Sequence, residues 1–170
     1  MLIQKHCWEC GAALTEKELE HEGIVPYCPY CGEFRFPLYN VAVSMVVVNR
    51  ENGKVLLIKQ YGKDYYRLVA GYVNRKERPE DAVVRELKEE TGMTAANVHF
   101  NRTSFFEPSN TLMENFTVIV ENDQELDPNY EIDSCAWFTP DEARENIGHG
   151  ILAERFLLAC LEQEYPLFIR

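Results

Sequence analysis

GYVNRKERPEDAVVRELKEETGM occupies residues 71–93, and its second half, from Arg85 to Glu90, gathers acids around one leucine and one lysine. Pro79 suits the first turn of a helix, Glu80 and Asp81 suit the positive end of its dipole, and Gly92 suits its stop. On such a helix Glu86, Glu89 and Glu90 stand at i, i+3 and i+4, so three carboxylates share one face within a single turn. Val83, Val84 and Leu87 cluster on a neighbouring side and give the helix something to bury. Like charges at this spacing repel and weaken a bare helix. A solvated acidic face is one reading of the run. The other is a cluster that holds hard divalent cations, because Mg²⁺ takes carboxylate oxygen and shares its shell with substrate phosphates.

What precedes the helix decides between them. Glu77 follows Gly71 after five residues and Arg85 follows after seven more, giving G-x5-E-x7-R-E-U-x-E-E-x-G-U with Leu87 and Met93 at the apolar U positions. Every fixed position matches the signature of the Nudix hydrolases, and the chain resembles that superfamily over residues 37–170. The resemblance implies an α/β fold, a Nudix α/β/α sandwich with a mixed sheet, and metal-dependent hydrolysis of a diphosphate joined to a nucleoside. It implies Glu86, Glu89 and Glu90 as ligands of Mg²⁺ or Mn²⁺, with the Gly71 carbonyl as an additional one. Arg85 resembles the residue that orients the carboxylates, and Glu77 its ion-pair partner or a further acid behind the ligands. The general base stays open: a carboxylate of the helix, or Glu107, Glu114, Glu121 or Glu131 outside it.

Residues 1–36 carry Cys7-Trp8-Glu9-Cys10-Gly11 and Cys28-Pro29-Tyr30-Cys31-Gly32. Two C-x-x-C-G knuckles at this separation form a four-thiolate zinc ribbon, with Cys7, Cys10, Cys28 and Cys31 as ligands of a structural Zn²⁺. Four protein ligands close such a site, so it stabilises and does not catalyse. His6 and His21 read as surface residues. A ribbon ahead of a Nudix domain is similar to the NADH pyrophosphatase subfamily. That likeness implies cleavage of NAD(H) to NMN(H) and AMP, with an NAD-capped RNA end as a further substrate, and it allows a homodimer. Members of that subfamily carry S-Q-P-W-P-F-P-x-S and then Leu-Met after the helix. Residues 104–113 here read SFFEPSNTLM, keeping the serine, a proline and the Leu-Met but not the Gln-Pro-Trp core. The substrate therefore stays open between NAD(H) and ADP-ribose or another nucleotide sugar. Phe105 and Phe106 can stack an adenine or serve as strand core.

The net charge of −11 and pI near 4.8 disfavour a general nucleic-acid coat, so a phosphate-bearing substrate needs metal ions between it and the acids. The N-terminal MLIQKHCWEC lacks the apolar core of a signal peptide, and no apolar run reaches the roughly 18 residues of a membrane span, which together point to the cytoplasm. A nucleotide-sensing module without catalysis is the reading from another class. Against it, every acid of the signature is present.

The rest of the chain reads as strand and helix in the order a sandwich needs. Residues 41–48 and 55–58 form strands around an Asn52-Gly53 hairpin, and residues 65–73 form a strand leading into Gly71. After the helix, residues 98–106, 112–121 and 135–138 are strands. Thr139-Pro140-Asp141-Glu142 opens a short capped helix. Residues 151–164 form a terminal amphipathic helix with Leu152, Phe156, Ala159 and Cys160 on one stripe. Cys135 and Cys160 act as small apolar residues.

Overall fold

The computed structural model of the chain describes residues 4–123 and 126–162. Its contacts divide it into two compact units, Met1–Tyr39 and Asn40–Arg170, a few residues beyond the boundary expected at 36. No helix among the described residues is long and apolar enough to cross a membrane.

The smaller unit is an antiparallel sheet of β1 (Thr15–Leu19), β2 (Gly23–Cys28) and β3 (Glu33–Phe34), in that order. Its buried described side chains are Cys7, Val25, Cys28 and Arg35. So few apolar groups cannot offset the entropy of ordering the chain, which leaves the cysteine cluster as the centre of the unit.

The larger unit is built on β4 (Asn40–Asn49), whose run of valines is buried on both faces. Alternation sends Val43, Met45 and Val47 to one side, where they meet Ala82, Val83 and Leu87 of α1 (Pro79–Thr91). Val46 and Val48 go to the other side, with Ala143 of α2 (Pro140–Asn146) and Phe156, Leu157 and Cys160 of α3 (Leu152–Leu161). One helix below the sheet and two above it make the α/β/α sandwich. The strand path is β7-β8-β4-β5-β9, where β5 is Val55–Gln60, β7 Asn97–Phe106, β8 Thr111–Val120 and β9 Ile132–Phe138. β4 and β8 run parallel while the other pairs are antiparallel, so the sheet is mixed. On its other edge β4 is shared: β5 takes Val47 and Val48, and β6 (Val69–Tyr72) takes Ala42 to Met45.

Several local expectations shift. The strand expected from residue 65 begins only at Val69, because Tyr66 bridges to Ile147 and its carbonyl accepts the Gly148 N–H at 2.8 Å. The Asn52-Gly53 hairpin is a wider turn, since the Asn49 side chain accepts the Glu51 N–H at 2.8 Å and ends the ladder early. Val84 is 45% exposed, its place in the helix contact taken by Ala82. Residues 163 and 164 of the expected terminal helix lie outside the described residues.

Candidate functional site

β6 and α1 meet where Gly71 faces Glu86. A Cβ built on Gly71 would overlap the Glu86 carboxyl group, so that carboxyl can lie against the strand only with glycine there. Gly71 does not adopt a positive φ, and space alone sets the requirement. Arg85 ties this junction together. Its Nε donates to Glu77 Oε1 at 2.7 Å and its Nη2 to Glu77 Oε2 at 2.9 Å. Its Nη1 donates to Glu86 at 2.7 Å and Glu89 at 3.0 Å, and Nη2 also reaches the Tyr72 carbonyl at 2.9 Å. A guanidinium has five N–H groups, and all of them are engaged. With Arg85 on one side and the Asn74 N–H on the other, the Glu77 carboxyl is held down at about 2.

The three acids that look alike in sequence differ here. Glu89 is exposed, Glu86 is half-buried, and Glu90 is only 4% exposed. Glu90 follows Leu87 by three residues, on the side the helix buries, and accepts a hydrogen bond from Gln60 Nε2 at 3.0 Å. Burial, helped by the charges of Glu86 and Glu131, pushes its carboxyl up to about 8.

These groups open onto a cavity of about 710 Å³ lined by Gly71, Glu86, Glu89, Glu90 and Glu131 on its acidic side. Ala42, Tyr72, Phe106, Met113 and Phe156 supply an apolar side. Among the outside acids weighed as bases, Glu131 lines the cavity and Glu107, Glu114 and Glu121 do not. Glu131 accepts the Tyr61 hydroxyl at 2.9 Å, and that bond pushes the phenol up to about 12. Tyr61 adopts φ +56°, a strained conformation for an aromatic residue at the cavity wall. Phe106 lines the cavity but Phe105 does not, because neighbours on a strand point to opposite faces. Sequence reasoning missed Gln60, Tyr61, Tyr65, Arg67 and Tyr72. Proximity of residues 65–72 to Gly71 was the one available signal for the last three.

In the smaller unit the four cysteine sulfurs lie within 4.8 Å of one another, with Cys7 and Cys31 4.0 Å apart and Cys10 and Cys28 3.5 Å apart. Four thiolates around Zn²⁺ at about 2.3 Å have S···S edges of about 3.8 Å, so the donor set fits that ion. Gly11 and Gly32 take φ of +74° and +73° and return their N–H groups to the Cys7 and Cys28 carbonyls at 2.9 Å, which turns each knuckle. Arg35, 7% exposed, donates from Nε to Cys7 Sγ at 3.2 Å and from Nη2 to Glu9 at 2.8 Å. Burial works to raise the Cys7 thiol, but the bonds from Arg35 and the turn amides outweigh it and bring it down to about 6.

The layered fold and the glycine–carboxylate junction define the Nudix class, and residues 38–157 match the family model described as the NUDIX domain. The chain belongs to the Nudix hydrolase family. It is 28% identical over 139 residues to the NAD-capped RNA hydrolase NudC of Pseudomonas aeruginosa, covering 81% of this chain and 48% of that protein. Over 157 residues it is 28% identical to the protein of the same name from Vibrio vulnificus, covering 90% and 58%. The chain thus spans about half the length of the curated relatives it matches. Among solved structures, a Nudix hydrolase from Nitrosomonas europaea superposes with a TM-score of 0.67 at 19% identity, covering 94% of both chains. The dihydroneopterin triphosphate pyrophosphohydrolase of E. coli gives 0.60 at 15% identity over 74% of this chain and 99% of its own. These likenesses show the fold.

Proposed function

We propose that this chain hydrolyses the diphosphate bond of a nucleoside-diphosphate-X substrate, with NAD(H) favoured and NMN(H) and AMP as products. The observation that carries the reading is the convergence of Glu86, Glu89, Glu90 and Gly71 at the wall of one substrate-sized cavity. The donors are all hard oxygens, and glycine at position 71 lets the Glu86 carboxyl lie among them, which suits Mg²⁺ or Mn²⁺. Such ions supply charge neutralisation at the diphosphate and a bound water of lowered pKa. The chain's own groups do the rest. Arg85 fixes Glu86 and Glu89 in place, Glu131 with Tyr61 or a carboxylate of α1 takes the water proton, and the apolar side around Phe106 and Met113 holds a base.

The names of the relatives support an NAD-capped RNA end, and NAD(H) carries the same diphosphate. One feature favours ADP-ribose or another nucleotide sugar as a second reading. The divergent residues 104–113 form part of the cavity wall through Phe106, Ser109, Thr111 and Met113. Incubating the protein and Mg²⁺ with NAD(H), ADP-ribose and a dinucleoside polyphosphate, with products read by mass, distinguishes the readings. Cleavage of none of them overturns the hydrolase reading.

Glu90 makes metal binding pH-dependent. A carboxyl raised to about 8 must lose its proton to serve as a ligand, so Mg²⁺ affinity measured by calorimetry should rise by up to about tenfold per pH unit from 6 towards 8 and then level off. A flat profile removes Glu90 from the ligand set. In metal-free protein the sign reverses. The folded carboxyl lies above its ordinary 4.5, so Glu90 costs stability increasingly as pH rises from there towards 8.

The four-cysteine cluster is proposed to hold one structural Zn²⁺, bound by Cys7, Cys10, Cys28 and Cys31. Stripping it with a strong chelator should abolish amide-exchange protection in the smaller unit and leave β4 to β8 protected, because metal binding and folding are coupled where the core is this small. Unchanged protection after complete metal loss would contradict a structural role.

A further inference from the structure

We propose that Arg67 is the contact for the substrate phosphate on the side of the scissile bridge away from the α1 carboxylates. The inference rests on the diphosphatase reading and adds a residue for recognising the substrate. Four carboxylates, Glu86, Glu89, Glu90 and Glu131, line the cavity, and Arg67 is the one cation among its described lining residues. A diphosphate entering this space meets four carboxylates whose repulsion metal ions must offset, and a single guanidinium that attracts it directly.

The side chain is held ready for a ligand. Its backbone is fixed by a reciprocal pair with Ile58, the Arg67 N–H donating at 2.8 Å and the Ile58 N–H at 3.0 Å. Its Nη2 donates to the Tyr65 hydroxyl at 2.8 Å, and the guanidinium lies over the Tyr65 ring at 5.1 Å. Tyr65 is backed in turn by Gly148, where a Cβ would come within 2.6 Å of the ring. Yet among the described residues no carboxylate pairs with Arg67, and its buried Nε has no acceptor. Arg85 shows what a structural arginine in this fold looks like, with every N–H engaged. Nε is enclosed and Nη2 is engaged by Tyr65, so Nη1 is the group left to meet a ligand, and a partly buried guanidinium with an open donor is costly to keep without an anion such as a phosphate oxygen.

The test compares wild type with Arg67→Ala, Arg67→Gln and Arg67→Lys, first by calorimetric binding of ADP with Mg²⁺ and then by steady-state kinetics. Loss of a charge-assisted pair should weaken ADP binding and raise KM by about 10- to 100-fold in the Ala and Gln variants, with kcat within about threefold of wild type. Lysine, a point charge without the fork, should recover part of the loss, and Tyr65→Phe should give a smaller rise in KM. Unchanged ADP affinity in a folded Arg67→Gln protein overturns the proposal, as does a fall in kcat with KM constant. If wild type binds ADP through Arg67 but cleaves no diphosphate, the hydrolase reading fails and the phosphate contact stands.

Discussion

Glu89→Gln and Glu90→Gln should each lower kcat by about 10² to 10³ while the protein remains folded, because each removes an anionic ligand from the ions proposed to neutralise the diphosphate. The two variants should part company in stability. Glu89 is exposed and bonded to Arg85, so its loss should move the melting temperature little. Glu90 is buried with a carboxyl raised to about 8 and hydrogen-bonded to Gln60. An amide at that position keeps a neutral hydrogen-bonding group and relieves the burial of charge. In metal-free protein at pH 8 Glu90→Gln should therefore melt higher than wild type, and added Mg²⁺ should stabilise it less. A differential melt with and without Mg²⁺ checks both halves. Full activity in either variant would remove that glutamate from the proposed ligand set.

Gly71→Ala is the second large effect, and it is a matter of space. The new methyl group would occupy the volume of the Glu86 carboxyl, so Glu86 has to leave both the junction and its 2.7 Å bond to Arg85. Since Gly71 has an ordinary φ, alanine brings no backbone strain there, and slightly less freedom in the unfolded chain favours folding. The expected result is a folded protein whose Mg²⁺ affinity and kcat each fall by about 10- to 100-fold. Retained Mg²⁺ binding would mean that Glu86 reaches its partners by another rotamer. Where Gly71→Ala has displaced Glu86, Glu86→Ala in the same background should add nothing, because both changes remove one group.

The helix, its proline start and its glycine stop were readable because local chemistry dictates them; Gly92 sits at φ +74° with its N–H on the Lys88 carbonyl at 3.0 Å. The central strand was readable because a run of valines has few other places to go. The cysteine spacing was enough to foresee a four-sulfur cluster. What the sequence could not reveal depends on which face a residue presents. Glu86, Glu89 and Glu90 are equivalent in one dimension, and only packing of Ala82, Val83 and Leu87 against the sheet turns Glu90 inward. Phe105 and Phe106 differ by a single step of pleat. Glu131 stood among the acids the sequence offered, but Gln60 and Arg67 reach the cavity from β5 and the lead-in to β6, and no local pattern joins those segments to α1.

The saturation of Arg85 has a consequence for how the active region assembles. One side chain clamps the loop at Glu77, the strand end at Tyr72 and one turn of α1 at Glu86 and Glu89. Lysine, with three donors and no plane, could not keep that set of bonds. The loop, the strand end and the helix therefore share a single anchor. Replacing Arg85 should free the loop, the strand end and both carboxylates together, whereas removing any one partner leaves the others held.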